Sequence, residues 1–187
     1  MTRKAVFLDR DGVLNRAIVR DGRPYPPADP SELEFLQGVD VACRRLRDAG
    51  FLLIGVTNQP DVARGTARQA VVEELNRAIA CVLGLDEIRV CMHDDADACN
   101  CRKPQAGLLT SAAADYGIDL HASYMVGDRW RDIEAGRRAG CRTIFIDHGY
   151  NERRPEAPDF TTDSLLNAAS CILSGAITTG ESQCSTR

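Results

Sequence analysis

Residues 4–12 read KAVFLDRDG: a lysine, four consecutive apolar residues, two aspartates two positions apart, and a glycine. A short run that is apolar at every position, rather than at alternate ones, predicts a strand buried on both faces, as in parallel sheets covered by helices on each side. The same signature recurs in FLLIGVT (51–57), IRVCMH (88–93), SYMVG (123–127) and RTIFID (142–147). Helix-forming segments separate these runs at 39–49, 66–83, 107–116 and 130–139, with Gly50, Gly84, Gly117 and Gly140 as stop signals. This alternation predicts an α/β fold: a single doubly wound, Rossmann-like domain with a parallel sheet and right-handed crossovers, over residues 1–175. The 187 residues suffice for one domain with a sizeable core and are too few for two. A last helix is expected at 163–174, and the polar stretch 176–187 is expected to be a disordered tail.

Residues 16–30 (RAIVRDGRPYPPADP) break the rhythm. Asp21-Gly22 is a hairpin signal and the prolines forbid helix, so a small flap is expected beyond the first strand, with no large cap.

Composition narrows the partners. With 44% hydrophobic and 27% charged residues and a net charge of −4, the chain has no general attraction for nucleic acid or acidic membranes. Anion recognition must be local, and no obligate protein partner is evident. MTRKAVFLDRDG has neither signal-peptide nor membrane-span character, so a cytoplasmic protein is expected. Of eight cysteines, Cys43, Cys81, Cys141 and Cys171 lie in apolar or helical contexts, where cysteine acts as a small hydrophobe, and Cys184 falls in the polar tail.

The other three cysteines form the pattern Cys91-x-His93-x5-Cys99-x-Cys101 in a loop at 91–103. Four such ligands fit tetrahedral zinc in a closed, structural site, whereas catalytic zinc keeps one position for water. The competing reading is an acidic loop with incidental cysteines. Arg102, Lys103 and Pro104 follow the last ligand directly, so zinc would fix cations rather than do chemistry. Asp94, Asp95 and Asp97 are expected to face solvent.

In doubly wound sheets, ligands bind beyond the carboxyl ends of the strands. The first strand ends in Asp9-Arg10-Asp11-Gly12, two close carboxylates that suit magnesium, or else a solvated turn. A calcium loop fits poorly, because the glycine stands fourth and Arg20 holds the twelfth position. Thr57, Asn58 and Gln59 end the second run with neutral donors suited to phosphate oxygens, or with loop caps. Asp128 and Asp132 follow the fourth run at a helix start, where one of them would also serve as an N-cap.

DRDG, VTNQ, RKP and GDRWRD, in this order at these strand ends, resemble the four motifs of haloacid-dehalogenase-type phosphatases over residues 4–147. The resemblance implies a phosphatase in which Asp9 is the nucleophile and Asp11 the general acid and base. It implies a catalytic Mg2+ held by Asp9, Asp128 and the Asp11 backbone carbonyl, with Thr57 and Lys103 stabilising the transferring phosphoryl group. Asp132 is expected to support the magnesium shell or Lys103. Asn58, Gln59 and Arg102 are assigned to substrate, a small phosphorylated sugar or similar metabolite; Arg64 and Arg20 are further candidates, or plain surface residues. Trp130, Arg131, His121 and His148 are expected to be ordinary helix or surface positions.

Two rivals share parts of this chemistry. Receiver domains also combine an acidic magnesium site, an acceptor aspartate, a threonine and a lysine, but their acceptor ends a mid-chain strand and lacks a second aspartate two residues on. Mutases need a cap to retain their intermediate. One departure stands out: the family usually carries Ser-Gly after Asn-Gln, where this chain has Pro60-Asp61. Proline removes a backbone donor and Asp61 adds negative charge, which puts the preferred sugar or its anomer in question.

Overall fold

A computed structural model describes residues 2–175; the tail expected at 176–187, with Cys184, lies outside the described residues. The first buried run forms β1 (Lys4–Leu8), and the hairpin signal forms β2 (Ile18–Arg20) and β3 (Arg23–Tyr25), paired antiparallel. There follow α1 (Val39–Asp48), β4 (Phe51–Asn58), α2 (Gln69–Leu83), β5 (Glu87–Cys91) and α3 (Gly107–Tyr116). The described chain ends with β6 (Tyr124–Gly127), α4 (Trp130–Ala139), β7 (Arg142–Ile146), β8 (Phe160–Thr162) and α5 (Leu165–Ser174).

Six strands form one sheet in the order β5-β4-β1-β6-β7-β8, and every pairing in it is parallel. Chain order runs outward from β1 in both directions, so the crossovers diverge on either side of it. That reversal opens a crevice at the carboxyl end of β1, between the ends of β4 and β6.

Burial on both faces gives two cores. Val6 and Leu8 point toward a cluster with Ala42, Cys43 and Leu46 of α1 and Ala168, Ala169 and Ile172 of α5. Ala5 and Phe7 point the other way, against Leu108, Leu109 and Ala112 of α3 and Ala135 and Ala139 of α4. Cys43 and Cys141 are buried as expected, whereas Cys81 is exposed on the outer side of α2.

Several boundaries move for local reasons. The second helix begins at Gln69, not 66, because residues 60–67 are spent on turns bonded through the Pro60 and Asp61 carbonyls. Strand β5 stops at Cys91 because the chain then turns into the cysteine-histidine loop. The edge strand β8 is three residues, Phe-Thr-Thr, too short to show a period. Among the described residues, the insertion between β1 and α1 is only a hairpin and a single 3-10 turn, with no cap domain.

Helix α4 lies close on the sheet because it presents Gly136: a Cβ there would stand 2.6 Å from Met125 Cβ and 3.0 Å from Thr143 Cγ2. Gly136→Ala should therefore destabilise the chain by about 1–2 kcal/mol, since overpacking outweighs the roughly 1 kcal/mol of helix propensity that alanine adds. Urea denaturation checks the sign; a stabilised variant would contradict the close approach.

Candidate active site and metal centres

The crevice gathers Asp9 and Asp11 after β1, Thr57 near the end of β4, Lys103 before α3, and Asp132 in the first turn of α4 around one small pocket. Asp128, at the end of β6, completes a group with Asp9 and Asp132 whose ligand atoms all lie within 4.8 Å of one another. The motif residues thus converge, although they come from segments far apart in the chain.

Lys103 is 2% exposed and its ammonium is fully engaged. Nζ donates to Asp9 Oδ1 at 2.7 Å, to the Val56 carbonyl at 2.6 Å, and lies 2.6 Å from Asp132 Oδ1. Burial pulls its pKa down, yet Asp132 and Asp9 together hold it above the ordinary value. Asp132 also accepts from the Arg129 backbone N–H at 3.0 Å, so it caps α4 while it fixes the lysine. The backbone of Lys103 is clamped from β4: Asn58 Nδ2 donates to the Lys103 carbonyl at 2.9 Å, and Asn58 Oδ1 accepts from the Lys103 N–H at 3.1 Å.

The carboxylates are held close at an electrostatic cost. Burial raises Asp9 to about 6, with Lys103 opposing and Asp132 and Asp11 adding to the rise. Burial also pushes Asp128 well up, with Asp9 and then Asp132 contributing. Both Asp128 side-chain oxygens are buried without a well-formed hydrogen bond, and the Tyr150 hydroxyl stands near them as a donor. Buried polar atoms are normally paired, so two such oxygens beside Asp9 mark a place for a cation. Oxygen donors alone suit a hard ion such as magnesium. Gly12 makes room for this arrangement: its φ is +92°, and a Cβ there would fall 1.9 Å from Asp128 Oδ2. His148, expected to be an ordinary surface position, donates from Nε2 to the Gly12 carbonyl at 2.7 Å and pins the same turn.

The second cluster is Cys91, His93, Cys99 and Cys101. Its sulfur–sulfur separations are 3.6, 3.2 and 3.4 Å, and His93 Nδ1 lies 3.5 Å from Cys91 Sγ and 3.3 Å from Cys101 Sγ. Zinc–sulfur bonds of about 2.3 Å at tetrahedral angles would put sulfurs about 3.8 Å apart, slightly wider than observed. The donor set and spacing fit a four-coordinate zinc.

Around this loop the acidic residues do more than face water. Asp95 accepts from Arg102 Nε at 2.8 Å and from Arg131 Nη1 at 3.1 Å. Asp94 receives Arg64 through Nε at 2.8 Å and Nη2 at 2.6 Å. Asp97 accepts from the Asp94 backbone N–H. Arg102, Arg131 and Arg64, with Arg23, Arg129 and Arg153, line a cavity of about 630 Å³ that adjoins the small pocket and shares Tyr25, Asn58, Arg129 and Arg131 with it. Arg129 pairs with Glu152. Arg20 does not join them; it lies over the Tyr25 ring. Gln59 is 3% exposed and lies beneath the cavity wall, donating from Nε2 to Asp11 Oδ2 at 2.8 Å and to Thr57 Oγ1 at 2.9 Å. Arg10, Arg131 and Asn76 were not singled out by sequence. Arg131 offered only the look of an exposed helix residue. Arg10 and Asn76 left one signal, polar residues inside otherwise buried segments.

Comparison with known proteins agrees with this geometry. A family profile described as HAD-hydrolase-like matches residues 100–168. The chain is 38% identical over 158 residues to D-glycero-beta-D-manno-heptose-1,7-bisphosphate 7-phosphatase of Haemophilus ducreyi, covering 78% of this chain and 84% of that protein. It is 36% identical to the enzyme of the same name from Escherichia coli strain K12, covering 88% of each. The crystal structure of D,D-heptose 1,7-bisphosphate phosphatase from B. bronchiseptica, complexed with magnesium and phosphate, superposes with a TM-score of 0.74 at 30% identity, covering 92% of this chain and 99% of that one.

The raised Asp9 carboxyl has a consequence for stability. A folded pKa of about 6 against an ordinary 3.8 means that the native state binds the proton more tightly, so ionising Asp9 costs native stability as pH rises through 6. In metal-free buffer, Asp9→Asn should be more stable than the native chain above pH 6, and the difference should vanish near pH 4. Urea midpoints across this range test it; a variant destabilised at pH 7 would contradict the buried, charge-crowded setting.

Proposed function

Since the chain belongs to the haloacid-dehalogenase-like phosphatases and shares this family with heptose bisphosphate phosphatases, we propose that it removes the 7-phosphate of D-glycero-D-manno-heptose 1,7-bisphosphate. The observation that carries this reading is the pairing of two pockets. A small one contains Asp9, Thr57 and Lys103, and a larger one beside it is lined by six arginines against three carboxylates, Asp61, Asp95 and Glu152. A phosphoryl group fits the first; a second anionic group on the same small molecule fits the second, where Arg102 and Arg131 present planar forks.

The chemistry follows from the placement. Asp9 attacks phosphorus in line, forming an aspartyl-phosphate as the bond to the sugar oxygen breaks. Asp11 gives that oxygen its proton. It then takes a proton from the water that attacks the aspartyl-phosphate and returns Asp9 to its carboxylate. Lys103 and Thr57 face the phosphoryl oxygens, where charge is spread in the transition state. Asp9, Asp128 and the Asp11 carbonyl would hold Mg2+, which when bound offsets the repulsion between carboxylate and phosphate. Asp132 holds Lys103 in place. Zn2+ on Cys91, His93, Cys99 and Cys101 is structural: a loop this polar lacks an apolar core, and metal binding can supply about 10 kcal/mol or more of ordering. The product feeds nucleotide-activated heptose synthesis for surface glycans, and the thiol-rich cluster suits the cytoplasm, where cysteines stay reduced. Pro60 and Asp61 stand on the wall of the larger cavity, so they act on the choice of sugar or anomer rather than on the reaction.

The alternative substrate is histidinol phosphate, whose second group is cationic; an arginine-rich cavity disfavours it. Side-by-side turnover decides: kcat/KM should favour the bisphosphate by about 100-fold or more, and preference for histidinol phosphate would overturn the assignment. Asp9→Asn should lower kcat by about 10,000-fold or more while the circular dichroism spectrum stays native; near-normal turnover would remove Asp9 as nucleophile. Elemental analysis should find a tightly held zinc, stoichiometric with the chain. Chelated protein that kept full stability and activity would refute its ordering role.

A further inference from the structure

Arg10 stands between the two aspartates of the first motif and is the largest fully buried side chain among the described residues, at 0% exposure. Its Nε lies 3.2 and 3.1 Å from the two oxygens of Asp11, and its Nη2 donates to Asp11 Oδ2 at 2.9 Å. The remaining end of the fork, Nη1, donates to Asn76 Oδ1 at 2.9 Å. Asn76 belongs to the face of α2 that otherwise buries Val72, Leu75 and Ile79. A buried guanidinium and a buried amide both cost desolvation, and apolar side chains of similar volume would commonly serve stability better. What this pair fixes is the direction of one carboxylate.

We propose that Arg10, anchored by Asn76, is a positioning residue for Asp11. The inference rests on the acid and base roles proposed above for Asp11. Two further donors complete the cradle: Asn15 Nδ2 to Oδ1 at 3.0 Å and Gln59 Nε2 to Oδ2 at 2.8 Å. Gln59 and Asn15 each bring one neutral N–H group to one carboxylate oxygen, whereas Arg10 reaches both oxygens with a charged fork. The Arg10 fork is itself held at its far end by Asn76. It therefore sets the line along which the Asp11 proton reaches the leaving oxygen, and along which water later gives its proton back.

The test separates the need for a proton from the rest of catalysis. An alkyl phosphate expels an alkoxide that must be protonated; p-nitrophenyl phosphate expels a phenolate that need not be. With magnesium-loaded full-length protein, Arg10→Lys should lower kcat on an alkyl phosphate by about 100-fold, with KM changed by less than about 3-fold. On p-nitrophenyl phosphate the first turnover should stay near the native rate and appear as a burst stoichiometric with enzyme, since only the later hydrolysis lacks its base. Asn76→Ala, which leaves every reacting group in place, should give the same pattern at about 10-fold and decides the matter if Arg10→Lys fails to fold. Equal losses on both esters without a burst, or no loss, would overturn the proposal. If Asp9→Asn also turned over normally, the underlying mechanism would fail instead, and the two failures are distinguishable.

Discussion

One ammonium group governs this site. Lys103 Nζ sits between Asp9 and Asp132, and Asp128 lies close by with no charged partner of its own among the described residues. Three buried carboxylates within 4.8 Å of each other would repel strongly in a medium of low polarity. A single buried lysine contacts two of them but offsets only one negative charge, and the remainder suits a divalent ion. The site is therefore under-neutralised by its own residues: a cation would complete it, and would let it tolerate the approach of a phosphate dianion that bare carboxylates reject. Removing the lysine would leave two ionised groups buried without a counter-charge, the kind of loss that commonly costs about 3–5 kcal/mol.

The scaffolding exists to deliver that ammonium. Lys103 belongs to no strand or helix. Its position is fixed from three sides: the Asn58 amide grips its backbone, Asp132 at the start of α4 grips its head, and the cysteine–histidine cluster ends two residues before it. The cluster also carries Asp94 and Asp95, which orient Arg64, Arg102 and Arg131 on the cavity wall. One compact loop thus borders both the small pocket and the arginine-lined cavity beside it. This explains why chain positions 91 to 103 are so crowded with polar side chains that would not fold by apolar burial.

Most of the strands and helices were legible because each obeys one period. Fully apolar runs became β1, β4, β6 and β7, and glycine stops closed α1, α2, α3 and α4 within a residue or two. The convergence of Asp9, Thr57, Lys103 and Asp128 was legible as well, since parallel strands must place their carboxyl ends on one side of the sheet. What escaped was set by tertiary partners. Strand β8 has no pattern of its own and exists because β7 offers a free edge. Asn58 and Gln59 look like phosphate donors in sequence, yet the fold turns one onto the Lys103 backbone and the other onto Asp11 and Thr57. Arg131 looks like a solvated helix residue until Asp95 arrives from the loop opposite.

The arginine-lined cavity opens in a chain whose net charge is −4. A chain that is negative overall thus concentrates six arginines at this one mouth. Such a local inversion repels anions from most of the surface and draws in those that arrive along one approach, so orientation is selected before contact. Free orthophosphate carries the same charge as the phosphoryl group of the proposed substrate and would be drawn by the same arginines. On the proposed mechanism the released ion would compete with the next substrate for the same charges, so turnover would fall as free phosphate rises.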